Sequence, residues 1–353
     1  MNKFRLLKDK IGKKLANITN NKKCNYFGRA NTAIWCIGEY LKINSNKRTI
    51  ILPSTMCVSP AIIFKILGFK LIFVDVNKND GLLNINKKLK LIKKNKDVTC
   101  IFYVNLFGNK DSKISELKKI KNIYIIQDLA QTYFHKKNIK KDIFGDLIIL
   151  SFGYSKIFDF GHGGIVLSNN KKFYEYGIKF NNNLTNIKIS NSYKKKYLKW
   201  YNNTIIKKKS FSKNILKSFA SKIYLIKFDN KKLTEINSSI DLITSDFKRR
   251  FKLLEIYKRK FKNFNIQLVH SARILSPWRF SFLINDRDYY LELIRKKGFD
   301  ASAYYPNIGG VFNRGKRFTN SENIEKKIIN LWLTKDYNLN KINNISSLIK
   351  NEK

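Results

Sequence analysis

The chain has 353 residues, 43% of them hydrophobic with 26 phenylalanines, enough apolar material for one large domain plus a smaller one, which excludes a disordered polymer. Its 71 lysines and arginines against 25 acidic residues leave a net charge of +46. Asn rises in the same stretches as Lys (NNKKCN, NKNDGLLNINKK, KINNIS) and the cations are spread along the whole chain, so the charge reads as compositional drift: no specific nucleic-acid partner is expected, only weak attraction to polyanions.

No run of 18 apolar residues occurs, so no transmembrane segment is expected. Cys24, Cys36, Cys57 and Cys100 show neither CxxC spacing nor histidines at metal-ligand distance, which predicts reduced thiols in a cytoplasmic protein and no metal site. The first 24 residues lack the apolar core and cleavage site of a signal peptide and read as an amphipathic helical arm. Residues 25–45 read as a loop running into a helix, with Ile34, Ile37 and Leu41 at helical spacing. Gly28, Ala30, Asn31 and Thr32 at its start would let backbone amides face an anion; an ordinary capped helix explains the same spacing.

Residues 49–55 predict a strand, 59–69 a helix stopped by Gly68, 70–77 a strand, 85–97 a basic helix, 98–109 a strand and turn, 112–120 a helix and 123–128 a strand. This alternation of near-continuous apolar strands with helices predicts a parallel sheet covered on both faces. In such a sheet, function gathers at the carboxyl ends of strands, where Ser54, Asn105, Asp128 and Ser151 fall. Residues 171–235 are rich in Lys, Asn and Tyr and read as a solvated helical excursion or as a surface for an anionic partner or membrane. Residues 240–262 predict a long amphipathic helix linking two domains, 276–284 a strand, 288–299 a helix, 301–306 an extended piece and 321–353 helices with polar breaks. The expected division is an arm over 1–24, a large domain over 25–240 and a small C-terminal domain over 241–353.

The chemistry concentrates in residues 147–170, LIILSFGYSKIFDFGHGGIVLSNN, where two apolar runs flank a polar turn with Ser151 and Lys156 and a Gly-rich bend at 161–164. Upstream, QDLAQ at 127–131 ends a buried strand on Asp128, with Gln131 on the same face if the chain then turns helically. A strand-borne carboxylate followed by a lysine at the mouth of the same sheet suits a pyridoxal 5'-phosphate (PLP) site. Asp128 would keep the pyridine nitrogen protonated, Gln131 would meet the ring hydroxyl, and Ser151 would bond the phosphate. Lys156 would form the Schiff base and then act as general base. Asp128 alone also reads as the cap of a helix after a strand; its pairing with Lys156 decides for the cofactor. His162, in GHGG, is either an acid/base or substrate contact or a plain loop residue, and His135 and His270 carry no pattern.

With these residues in place the sequence resembles the sugar-nucleotide aminotransferases of the DegT/StrS type, within the fold-type-I PLP enzymes. Gln127-Asp128-Leu129-Ala130-Gln131 is similar to the family's Asp-x-Ala-Gln run, and Ser151-Phe152, Lys156 and Gly163-Gly164 to its Ser-Phe…Lys…Gly-Gly block. KLIFVDV, VNLFGN and RKKGFDASAYYP match further segments, the last on the substrate side, where Tyr305 lies. The resemblance implies an α/β fold with a large, mostly parallel sheet domain and a smaller C-terminal α/β domain. It also implies a homodimer with composite sites, and amino transfer from an amino acid, typically glutamate, to a nucleotide-linked keto-sugar in surface-polysaccharide or related biosynthesis. By the same resemblance Asp128, Gln131, Ser151, Lys156, Asn31, Thr32, Met56 and Cys57 would hold the cofactor, and His162 and Tyr305 would meet the substrate. Relatives with His in place of the lysine act as dehydratases; here Lys156 favours transamination, with a sugar dehydratase or an inactive polyanion-binding relative as alternatives. The chain departs from the family at three places. Arg29-Ala30-Asn31-Thr32 replaces its Ser-Gly-Thr phosphate loop. PSTMC at 53–57 lacks its stacking aromatic, leaving Met56 or Cys57 to serve. Its Asn-x-Arg motif has no clear counterpart.

Overall fold

Runs of Ile, Leu and Val with no polar alternation suit strands buried on both faces, and such strands form the centre of the larger sheet. The computed structural model describes residues 3–19, 21–84, 95–111, 114–132, 142–185, 191–207, 223–270 and 274–350. Five parallel strands, β2 (Thr49–Pro53), β3 (Lys70–Val74), β4 (Val98–Val104), β5 (Tyr124–Asp128) and β6 (Leu147–Ser151), lie in a seven-stranded sheet. β7 (Gly164–Ser168) and β1 (Lys23–Phe27) extend it antiparallel, giving the order β1-β7-β6-β5-β4-β2-β3.

Because successive strand residues point to opposite faces, Leu147 and Ile149 pack in one core and Ile148 and Leu150 in another. The first core holds α2 (Ala30–Asn44) and α3 (Val58–Ile66), with Phe173 of α4 (Lys171–Asn182). The second holds Ile11 and Leu15 of α1 (Lys3–Thr19) and Leu233, Ile236, Ile240 and Ile243. After α5 (Asn191–Tyr201), those last four residues open α6 (Leu233–Lys260), whose later turns, with Leu253, Leu254 and Tyr257, belong to a third core.

That third core backs a four-stranded antiparallel sheet of β8 (Gln267–Leu268), β9 (Phe280–Leu283), β10 (Ala301–Ser302) and β11 (Ile328–Leu331), in the order β10-β11-β9-β8. α7 (Arg287–Lys296) and α10 (Leu339–Lys350) pack on it, while α8 (Ile308–Phe312) and α9 (Thr319–Lys327) lead back towards the large sheet. α6 therefore serves both halves, and the boundary expected at 240/241 falls inside it.

Three expectations about individual elements are corrected. Residues 25–27, expected as loop, and 23–24, expected in the helical arm, form one strand, because Lys23–Phe27 gains its backbone partners from β7 across a long sequence separation. The tail contains β11, a fully buried strand between β10 and β9. The strand expected over 276–284 shortens to Phe280–Leu283. Most of the basic helix expected over 85–97 lies outside the described residues, as does His135.

Candidate active site

Parallel strands that end together leave a crevice beyond their carboxyl ends. Here a cavity of about 320 Å³ occupies it, with Asp128 from the end of β5, Ser151 from the end of β6, and Lys156 from the β6–β7 loop all in its wall. The Asp128 carboxyl is 7% exposed and accepts a 2.8 Å hydrogen bond from the Ala130 N–H. Burial raises its pKa above the ordinary carboxylate value, while the Lys156 charge across the cavity and the Ala130 N–H pull the other way. A carboxylate and an amine separated in sequence thus meet at one cavity.

The lysine loop is held at several points. Lys156 N–H donates to Gly153 O, Ser155 N–H and Gly161 N–H donate to the two carboxylate oxygens of Asp159, and the indole Nε1 of Trp278, just ahead of β9, donates to Ser155 O at 3.0 Å. The glycine pair closes the loop. Gly163 has φ +107°, a conformation side chains disfavour, and a Cβ on Gly164 would lie 2.5 Å from the backbone of Arg29 and Ala30. The motif therefore lets the loop after Lys156 press against the start of α2.

The model of the DegT/DnrJ/EryC1/StrS aminotransferase family matches residues 8–350. The chain belongs to this family. It is 29% identical over 135 residues to the GDP-perosamine synthase of Escherichia coli O157:H7, a stretch covering 37% of this chain and 36% of that enzyme. The matched stretch thus spans about a third of that relative's length. Among solved structures, Helicobacter pylori PseC, an aminotransferase involved in the biosynthesis of pseudoaminic acid, superposes with a TM-score of 0.77 at 18% identity, over 99% of this chain and 91% of that one. An E. coli GDP-4-keto-6-deoxy-D-mannose-3-dehydratase with bound hydrated PLP gives a TM-score of 0.73 at 16% identity, over 97% and 91%. Both share the fold.

Against the family pattern, the structure gathers Asp128, Ser151, Lys156, Asn31, Cys57 and Tyr305 around the cavity and sets four expected residues apart from it. Thr32 is fully buried, donating to Tyr224 O at 2.5 Å and accepting from Ile226 N–H, so its hydroxyl ties α2 to the 224–226 segment. Met56 points into the core beneath the sheet edge, which leaves Cys57 as the member of that pair in the wall. His162 lies outside: its Nε2 accepts from Asp229 N–H at 2.9 Å, its ring packs on Phe228, and burial lowers its pKa, as suits an acceptor. Gln131 stands behind the wall, accepting from Phe107 N–H and donating at 2.6 Å to the Tyr305 hydroxyl, which burial keeps protonated. Its amide positions Tyr305, itself stacked at 6.1 Å on Trp278.

Sequence reading missed the aromatic wall of Trp278, Tyr154, Tyr201 and Tyr304, which comes from four separate segments with no shared spacing. The residues present fit PLP. A carboxylate is available for the ring nitrogen and an amine for the carbonyl. Two helix starts also line the cavity, and Arg29 and Cys57, the residues preceding α2 and α3, provide no side-chain cap to the free N–H groups behind them. A wider cleft of about 680 Å³ between α1, β1 and α4 contains neither Asp128 nor Lys156. Among the described residues, no cluster of His, Cys, Asp or Glu could hold a metal, and no helix is long and apolar enough to cross a membrane.

Proposed function

We propose that the protein is a PLP-dependent aminotransferase moving an amino group from an amino acid, glutamate by family resemblance, to a nucleotide-linked keto-sugar in surface-polysaccharide or related biosynthesis. The observation that carries this reading is the Asp128–Lys156 pair facing each other in one cavity. When bound, PLP supplies an electron sink for charge developing on the substrate carbon. Asp128 holds the proton on the ring nitrogen that makes such a sink effective. Lys156 Nζ takes the proton from the donor's α-carbon and delivers one to the acceptor side, the general base and acid in one group. Ser151 and the α2 amides would hold the cofactor's phosphate. Tyr305, fixed by Gln131 and Trp278, closes the wall and excludes water.

Tyr154 (68% exposed) and Tyr304 (40% exposed) form an aromatic rim suited to a nucleotide base or sugar face. A homodimer with shared sites and a cytoplasmic location belong to the same reading, the latter consistent with four free cysteines. A sugar dehydratase, the activity of one structural neighbour, is the second reading; Lys156 speaks against it. Purified protein should show the visible absorbance of bound PLP, lose that band on addition of glutamate, and convert a nucleotide keto-sugar to its amine. Lys156→Ala should abolish the band and cut turnover by at least about a hundredfold. A band indifferent to Lys156→Ala would overturn the assignment, and a deoxygenated keto product would establish the dehydratase.

A further inference from the structure

We propose that Arg29 is a binding residue for the cofactor phosphate, a cation serving where the family pattern has hydroxyl donors. The inference rests on the PLP reading above and concerns how this chain completes that site.

Arg29 lies in the cavity wall immediately before α2. Its Nε is shielded from solvent and has no hydrogen-bond partner among the described residues, and its guanidinium stands 5.5 Å over the Tyr154 ring. A shielded charged donor left unpaired is costly, and in a folded protein it marks a missing acceptor. The groups around it favour an anion. The first-turn amides of α2 carry no side-chain cap, Ala30 brings no hydroxyl, and Ser151 Oγ receives only a long 3.4 Å bond from Gly153 N–H. Among the described residues the single carboxylate lining the cavity is Asp128, on which the Lys156 charge acts. Among the described residues Arg29 makes no ion pair, and a dianionic phosphate supplies a partner with fork geometry.

The backbone fixes where that phosphate would sit. Gly163 N–H donates to Gly28 O at 2.7 Å, Arg29 bridges Gly163, and Gly164 abuts the Arg29 and Ala30 backbone. The segment that closes the lysine loop and the residue holding the phosphate are therefore one rigid joint, which sets the spacing between anion and amine. The cofactor phosphate is favoured over a substrate phosphate because Nε is inside the wall, whereas the open rim belongs to Tyr154 and Tyr304.

The test titrates cofactor-free protein with PLP and with pyridoxal, which lacks the phosphate, and measures inorganic phosphate as a competitor. Arg29→Ala should weaken PLP roughly ten- to a hundredfold, leave pyridoxal affinity unchanged, and remove competition by inorganic phosphate; Arg29→Lys should fall between. The lysine variant also serves if the alanine variant does not fold. Equal weakening of PLP and pyridoxal would show a merely structural role and overturn the proposal, as would unchanged PLP affinity with a raised KM for the nucleotide substrate. Wild-type protein that takes up no PLP would overturn the function reading and this one with it. Normal uptake by wild type and variant alike would overturn this one alone.

Discussion

A buried carboxylate with few hydrogen bonds is an unstable thing to build into a fold unless it has a task. Asp128 illustrates the conflict: burial raises its pKa, so its ionised form is less favourable in the folded chain than in the unfolded one. Below the unfolded carboxylate value of about 3.9 both states are protonated and nothing is lost. As pH rises from there through the raised folded value, a penalty develops, and it is fully present above. Asp128→Asn should therefore raise the melting temperature of cofactor-free protein at pH 7, with the gain vanishing near pH 3. In the loaded enzyme the same change should lower turnover by about a hundredfold or more. A calorimetric pH series on the two proteins checks the first part, and a steady-state assay the second. Asp128 and Lys156 were legible in the sequence because their motif is local to strand ends. That Thr32, Met56, Gln131 and His162 stand off the cavity wall was not legible, because sequence gives a residue's neighbourhood and not the direction of its side chain. Met56 and Cys57 are adjacent, yet one enters the core and the other the cavity wall.

Among the elements, the joint between the β6–β7 loop and α2 decides whether the site assembles. At Gly164 the nearest atoms to an added Cβ are backbone, which no rotamer change can move aside. Gly164→Ala should shift the start of α2, weaken PLP binding at least about tenfold, and leave far-UV circular dichroism unchanged; wild-type affinity in this variant would show that α2 does not contribute to the site. The glycine pair was visible in the sequence, but its reason was not, since the atoms it makes room for lie at 29 and 30. β1 and β11 were hidden for a related cause. Each takes its place from long-range partners, β1 from β7 and β11 from β9 and β10, so neither needs a strong local pattern.

For the whole molecule the net charge of +46 dominates. Lys14–Asp241 and Lys232–Glu235 pair on the surface, but 25 acidic residues cannot neutralise 71 basic ones, and the excess repels itself. Raising NaCl from 0.1 to 1 M shortens the screening length from about 10 to about 3 Å. The melting temperature should therefore climb steadily over that range. A flat response in differential scanning calorimetry would mean that the charges are already compensated in the fold.

The sequence by itself determined the sheet-and-helix class, the buried parallel strands and the carboxylate–lysine pair, because each is written in short-range composition: unbroken Ile, Leu and Val runs, and a motif at the end of one strand. Only the tertiary structure decided which residues face the cavity, which aromatic side chains wall it, and that the Arg29 Nε lies there with no hydrogen-bond partner among the described residues. Those facts depend on segments far apart in the chain converging on one place, and convergence is a property of packing that no local pattern encodes.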